Sequence, residues 1–297
     1  FARELGVDIA RIKGTGLKER VTHDDIKAWV KRALSSPAAA GGESSTAGLP
    51  KVAEVDFAKF GPVEVKPLGR IQKISGRRLQ ASWLNVPHVW QMDEADITEM
   101  EEARQRLKIR AEKEGIKLTP LAFILRACAK ALDEFPILNA SLDSTGENLV
   151  YKRYINLGFA ADTPNGLVVP VIRDAGRKDI YELAADLSVL SAKARDGKLA
   201  ATDMQGGSFT VSSLGSIGGT AFTPIINAPE VAILGVARSS MQPVYQDGAF
   251  VPRLMLPFTL AYDHRVIDGA LAVRFTTHLA KILADASGLL EAVPKRA

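Results

Sequence analysis

The sequence predicts an α/β fold with a mixed sheet, preceded by a small helical unit on a linker. Three observations carry that prediction. From Lys51 to Leu290, helical and strand periodicities alternate, the pattern of helices packed on a sheet. The alternation is too irregular for a doubly wound parallel sheet. Upstream, Ser35–Pro50 (SSPAAAGGESSTAGLP) has almost no large apolar residue and the Ala, Gly, Ser and Pro content of a mobile linker. The 297 residues are also enough for two domains. The expected division is a small unit at 1–34, a linker at 35–50 and a large domain at 51–297.

In the small unit, Phe1–Leu5 reads as a helix tail stopped at Gly6, and Lys13-Gly14-Thr15-Gly16 as a glycine turn. Thr22 offers an N-cap for a helix over Asp24–Leu34, with Asp25 as the capping-box acid. Ile26, Val30 and Leu34 then share one face. In the large domain, helices are expected at Arg70–Leu84, Thr98–Lys113, Pro120–Glu134, Asp179–Lys193 and Gly269–Ala286. Strands are expected at Val63–Leu68, Val89–Asp96, Tyr154–Ala160, Leu167–Ile172, Phe209–Ser213, Val231–Val236 and Leu254–Tyr262.

Composition narrows the function. Hydrophobic residues make up 46% and charged residues 24%, an ordinary globular mix. Net charge is only +4, with no Lys/Arg block, so neither nucleic acid nor an anionic membrane is an expected partner. No apolar run is long enough to span a bilayer. The single cysteine, Cys128, lies in an apolar stretch and reads as a buried hydrophobe, consistent with a reducing cytoplasm. The chain opens on Phe inside an amphipathic stretch, so it is expected to be a piece with upstream neighbours.

Four histidines are present: His23, His88, His264 and His278. His23 and His278 read as structural or solvated, and His88, after Val86-Pro87 at a strand start, as packing. His264 differs. In Pro257–Gly269 (PFTLAYDHRVIDG) an apolar strand runs into a turn carrying Asp263, His264 and Asp268, where a histidine can be held by one ring nitrogen and act as a base through the other. Nothing specifies further metal ligands there, and no metal is expected. In Gly206–Gly219 (GGSFTVSSLGSIGG) a strand ends in hydroxyl residues and opens into a glycine-rich loop. The hydroxyls could donate to an oxyanion, or the segment could be a surface turn. It lacks P-loop and Rossmann spacing.

These segments, together with DTPNGLVVPVIRD at Asp162–Asp174, resemble the acyltransferase component of 2-oxo acid dehydrogenase complexes. The resemblance covers nearly all of Val63–Leu290. WLNVPHVWQMDEADITEME at Trp83–Glu101 is similar to the branch that serves bacterial pyruvate dehydrogenase complexes. FARELGVDIARIKGTGLKERVTHDDI at Phe1–Ile26 resembles the peripheral subunit-binding domain of the same family.

The resemblance implies a chloramphenicol-acetyltransferase-like fold and an obligatory homotrimer with active sites between subunits, assembled further into a 24-mer core. It implies acetyl transfer from S-acetyl-dihydrolipoyl-lysine, carried on an upstream lipoyl domain, to coenzyme A. His264 matches the histidine that deprotonates coenzyme A, and Ser212 the hydroxyl that stabilises the oxyanion, the two coming from neighbouring chains. Asp268 matches the second motif position, which some relatives fill with Asn, and is expected to hold the local structure. Arg78 is expected to buttress the turn through an ion pair with Asp268. Arg104, Thr119, Asp162 and Ser213 match coenzyme A contacts, although many relatives have Asn at Ser213. In the small domain, Arg3 and Arg20 match basic residues that bind the decarboxylating pyruvate dehydrogenase and dihydrolipoyl dehydrogenase, and Asp25 an acid that secures the GTG loop. Glu19 stands where the family usually has glycine. Leu289-Leu290 resembles the hydrophobic tail that links trimers. The alternatives are a catalytically silent scaffold subunit, transfer of another acyl group, or one of the longer H-x-x-x-D-G acyltransferases. The presence of His264, Asp268 and Ser212 favours an active enzyme, and the small domain separates the chain from the last group.

Overall fold

The computed structural model describes residues 2, 7, 12–16, 20–35 and 52–293. They belong to two compact units, Phe1–Val65 and Lys66–Ala297. The expected helix tail Phe1–Leu5, its stop at Gly6, Arg3, and linker residues 36–50 lie outside the described residues.

In the first unit, α1 (His23–Ser35) begins one residue earlier than expected. The capping box forms: Asp25 N–H donates to Thr22 Oγ1 at 3.3 Å, and the Asp25 carboxylate accepts from Thr22 N–H at 2.8 Å. The same carboxylate accepts from the Thr15 hydroxyl at 2.6 Å and the Thr15 N–H at 3.0 Å. These bonds, the Thr15 hydroxyl first, hold it well below the usual carboxylate range. Asp25 thus ties the GTG turn to α1. Gly16 donates to the Arg20 carbonyl at 2.9 Å. A Cβ there would sit 2.8 Å from that oxygen, so only glycine fits.

The second unit is built on one seven-stranded mixed sheet. Its elements are α2 (Arg70–Asn85), β1 (His88–Asp96), α3 (Thr98–Lys113), α4 (Pro120–Glu134), β2 (Ala140–Leu142), β3 (Leu149–Tyr151), β4 (Leu157–Phe159), β5 (Val171–Ile172), α5 (Ile180–Arg195), β6 (Phe209–Ser213), β7 (Ala232–Val236), β8 (Ser240–Gln246), β9 (Ala249–Asp263), α6 (Gly269–Ala284) and α7 (Ala286–Leu290). The sheet order is β1-β9-β7-β6-β4-β5, with β8 also on β9; β6 runs parallel to β4 and β7, and the other pairs are antiparallel. The short β2 and β3 form a separate pair.

The core lies between the sheet and α4, α5 and α6. Pro120 at the first position of α4 suits a helix start. The run after it is apolar nearly all round, so α4 is the buried central helix, with Phe123 and Leu125 fully enclosed. Cys128 is buried there, and burial pushes its thiol pKa far up.

Several boundaries depart from the sequence reading. Val63–Leu68 is not a strand: it joins no ladder, and Val65 and Leu68 are exposed. Alternating apolar residues make a strand only where a neighbouring edge supplies hydrogen bonds. Tyr154–Ala160 and Leu167–Ile172 shrink to β4 and β5, with Ala161 and Val168 adding one isolated bridge. β9 starts at Ala249, five residues before the expected Leu254, and pairs with an unforeseen β8. Asp247 and Gly248 both have positive φ, 52° and 87°, as a tight two-residue hairpin requires. Asp247-Gly248 was the legible signal. It was masked because β8 mixes polar and apolar residues, is largely exposed and carries Pro243, as edge strands do. α6 ends at Ala284, where Asp285 starts α7 by accepting from Gly288 N–H at 2.9 Å.

Candidate active site

β9 delivers the DHRVIDG turn. Its last residues, Phe258–Tyr262, are buried, and Asp263 is buried with them. Asp263 N–H donates to the Val231 carbonyl at 2.9 Å, and the Asp263 carbonyl accepts from Val266 and Ile267 N–H, both at 3.0 Å. Its carboxylate takes the Arg265 guanidinium in a two-pronged pair, closest contact 2.6 Å, and the Arg265 N–H at 3.0 Å. That hydrogen bonding raises the Arg265 pKa further. The sequence placed Asp263 in the motif but did not reveal this lock, since nothing in DHR tells which acid turns inward.

Asp268 closes the turn. It is the N-cap of α6, and its Oδ1 accepts from Leu271 N–H at 2.7 Å. His264 projects between these fixed points. Its backbone N–H donates to the Pro87 carbonyl at 3.1 Å, its ring lies 5.9 Å from the Tyr262 ring, and its side chain is exposed. Among the described residues, neither ring nitrogen has a hydrogen-bond partner. Arg78 is exposed on α2 and forms no ion pair with Asp268 within this chain; the carboxylate is instead spent on the helix cap.

Ser212 and Ser213 end β6, half-buried, with Ser212 opposite Gly235 on β7. A Cβ on Gly235 would lie 2.9 Å from Phe222 Cζ and 3.1 Å from Pro224, so glycine lets the following loop close over this strand. Asp162 lies exposed just past the C-terminal end of β4, whose Phe159 pairs with Val211. Ser212, Ser213 and Asp162 therefore share one end of the sheet.

His264 is at the other end. Gly235 pairs with Thr259, but Asp263 meets Val231, at the opposite end of β7. From the Ser212 level to Asp263 is about 14 Å along the strands and about 10 Å across them. A base must come within about 3 Å of the proton it removes. One chain does not bring Ser212 and His264 together.

Arg104 and Thr119 form a third group. Arg104 donates through Nε and Nη2 to Glu101, both at 2.7 Å, and through Nη1 to the Leu118 carbonyl at 3.0 Å. The Arg104 hydrogen bonds hold the Glu101 pKa below its ordinary value. The guanidinium staples α3 to the start of α4, where Thr119 precedes Pro120. Thr119 Oγ1 is buried without a partner, an expensive state for a hydroxyl. Arg20 is exposed in the first unit, and Arg3 is outside the described residues.

A buried polar cluster escaped the sequence reading. Glu230, after the cis Ala228-Pro229 bond, is 5% exposed and accepts from Asn227 Nδ2 at 3.0 Å through Oε1. The Thr210 hydroxyl lies close enough to the Glu230 carboxyl to pull its pKa down somewhat, although neither Glu230 Oε2 nor Thr210 Oγ1 makes a hydrogen bond of full geometry. Burial pushes the Glu230 pKa up to about 7. Lys152, whose ammonium donates to the Ala140 carbonyl at 3.1 Å and Ser141 Oγ at 2.7 Å, has its own pKa lowered by burial. No local pattern marks Glu230 as buried. Among the described residues no group of three His, Cys, Asp or Glu side chains could hold a metal ion, and no helix is long and apolar enough to cross a membrane.

Comparison with known proteins identifies the family. Residues 60–291 match the family described as 2-oxoacid dehydrogenases acyltransferase (catalytic domain), and residues 1–27 match the e3 binding domain. The dihydrolipoyllysine-residue acetyltransferase component of the pyruvate dehydrogenase complex from Cupriavidus necator is 54% identical over 96% of the chain and 52% of that protein. The same component from Azotobacter vinelandii is 53% identical over 98% of the chain and 46% of its own length. The chain thus spans about half the length of these curated relatives. A solved cubic core of the pyruvate dehydrogenase multienzyme complex superposes with a TM-score of 0.80 at 55% identity, covering 82% of this chain and all of that one. A solved Azotobacter vinelandii dihydrolipoamide acetyltransferase, investigated for the roles of a serine, a histidine and an asparagine in catalysis, matches equally, with a TM-score of 0.80 and the same coverage. Family match, identity and fold agree, and the chain belongs to the 2-oxoacid dehydrogenase acyltransferase family.

Proposed function

We propose that this chain transfers an acetyl group from S-acetyl-dihydrolipoyl-lysine to the thiol of coenzyme A. The observation that carries the reading is the separation of His264 and Ser212 at opposite ends of one sheet. A site needing both is completed by a second copy, as the family's trimer supplies, and the likeness to a cubic core supports a 24-mer built from such trimers.

The chemistry follows from the residues. A thiol with an ordinary pKa near 8.5 is only a few per cent thiolate at neutral pH. His264, exposed and with both ring nitrogens free, accepts the coenzyme A proton as the thiol attacks the thioester carbonyl. The Ser212 hydroxyl of a neighbouring chain donates to the oxyanion that develops, an interaction typically worth about 3 kcal/mol. The dihydrolipoyl thiolate leaves and recovers a proton from the imidazolium. Asp268, as a helix cap, and Asp263, clamped by Arg265, keep the histidine turn in place. Thr119, with its unpartnered hydroxyl, suits an amide of the pantetheine arm, and Asp162 and Ser213 line the serine end. Arg104 has N–H groups left for a phosphate after binding Glu101 and Leu118.

Arg3 and Arg20 serve docking of the decarboxylating dehydrogenase and dihydrolipoyl dehydrogenase, and the lipoyl-lysine arrives on a separate domain. Segments 1–34, 35–50 and 51–297 then act as docking module, linker and catalytic domain, in the cytoplasm. The test is transfer from acetyl-CoA to free dihydrolipoamide. Activity should fall by orders of magnitude in His264→Ala; a folded trimer of the natural sequence with no activity would point instead to a silent scaffold subunit.

A further inference from the structure

We infer that His88 is a positioning residue for the His264 turn and that it does this only as a neutral imidazole. The inference rests on the reading of His264 as the base.

His88 opens β1 and pairs with Asp263 on β9. Its Nδ1 lies 2.7 Å from the Val86 carbonyl, which can only accept, so Nδ1 carries the hydrogen. Its Nε2 lies 3.0 Å from the Ile226 N–H, which can only donate, so Nε2 is bare. The two bonds select one neutral tautomer and join the segment Val86-Pro87 to the loop that leads into β7.

Both backbone anchors of the histidine turn hang on the segments so joined. His264 N–H is held by the Pro87 carbonyl, one residue from Val86, and Asp263 N–H by the Val231 carbonyl, at the end of the Ile226 loop. The Ser82 hydroxyl, buried on α2, donates to the Ile226 carbonyl at 2.6 Å and fixes the loop from its other side. Protonation of His88 would place a hydrogen on Nε2 facing the Ile226 N–H, two donors head to head. The clamp would then open.

The surrounding charges offer the imidazolium no partner. On β9 the Asp263 carboxylate is taken by Arg265, and on the Ile226 loop Glu230 is paired with Asn227. The charged residues of α2, Arg70, Lys73, Arg77 and Arg78, are exposed cations, while α6, packed on β1, carries Arg274, His278 and Lys281. The acids of β1, Asp93, Glu94 and Asp96, lie at least five residues further along. Among the described residues no carboxylate comes within ion-pair distance of His88. Instead its ring packs against both Trp83 and Trp90, with centroids at 5.4 and 6.0 Å, and the two indoles lie 6.1 Å from each other. Those indoles supply an optical probe of its protonation.

The experiment compares the natural sequence with His88→Gln, whose amide oxygen can accept from Ile226 but cannot titrate, and with His88→Ala. Tryptophan emission followed on acidification should show a one-proton step that His88→Gln lacks; Trp29, the third tryptophan, is common to both. The acid limb of kcat for transfer to dihydrolipoamide should be steeper in the natural sequence than in His88→Gln. At pH 8, His88→Gln should keep kcat within about threefold, whereas His88→Ala should lose about tenfold or more with KM little changed, as expected for misplaced catalytic geometry. An emission step that survives in His88→Gln, or identical acid limbs, would overturn the inference. Retained activity in His264→Ala would remove the reading of the base, yet the emission titration would still decide whether His88 takes up the proton.

Discussion

Glu230 makes stability depend on pH in an unusual direction, and replacing it by glutamine should expose this. Burial moves its pKa from the ordinary value of 4.5 to about 7 in the folded chain. Between these values the unfolded chain has released the proton and the folded chain still holds it. The unfolded state therefore binds fewer protons, and stability falls as pH rises through this window. The loss is complete above about pH 7 and absent below about pH 4.5. A shift of this size corresponds to about 3 kcal/mol. Glu230→Gln is neutral at every pH, keeps an oxygen for Asn227, and offers N–H to the Thr210 hydroxyl. It should match the natural sequence near pH 5 and exceed it at pH 8.5. For a domain of this size the gain amounts to about 6–12 °C in Tm. Thermal unfolding of both proteins at the two pH values is the assay. An equal Tm difference at both would refute a neutral buried carboxyl, and a Tm lowered only at pH 8.5 would show that an ionised Glu230 stabilises through Lys152.

Asp268→Asn should retain the α6 cap, while Asp268→Ala should cost about 1 kcal/mol, read by chemical denaturation, and lower transferase activity more than Asn does. Gly235→Ala should destabilise by about 1–3 kcal/mol and reduce kcat, because the new methyl meets Phe222 and Pro224 beside Ser212; unchanged unfolding would show that this loop yields freely. Cys128, fully buried with its thiol pKa raised, should resist alkylation in the native protein and react on unfolding, as mass spectrometry would record.

Elements whose character is local were legible. α3, α4 and β6 match their expected limits because acids in the first turn with bases in the last, a first-turn proline, or a run of strand-forming residues suffices to mark them. The Thr22–Asp25 box follows from short spacing, whereas the Asp25 bond to Thr15, ten residues away, was implied only by the family resemblance. Elements whose character depends on a neighbour were not. Val63–Leu68 has strand-like alternation but no edge to join, and the exposed β8 becomes a strand only because Asp247-Gly248 folds it back onto β9.

The same division runs through the functional residues. The sequence by itself determined the family, and it marked His264, Asp268 and Ser212 as the candidate site residues, because their motifs are contiguous in the chain. Only the tertiary structure decided how those motifs are arranged. Strand direction puts His264 and Ser212 at opposite ends of the sheet, and burial turns Asp263 inward to Arg265 while leaving Asp268 to cap α6. It also spends Arg104 on Glu101 and Leu118, and encloses Glu230 and locks His88 through partners far away in sequence. Spacing along a chain specifies contacts within a few residues; register, burial and hydrogen-bond partners across a sheet are set by the packing of distant segments.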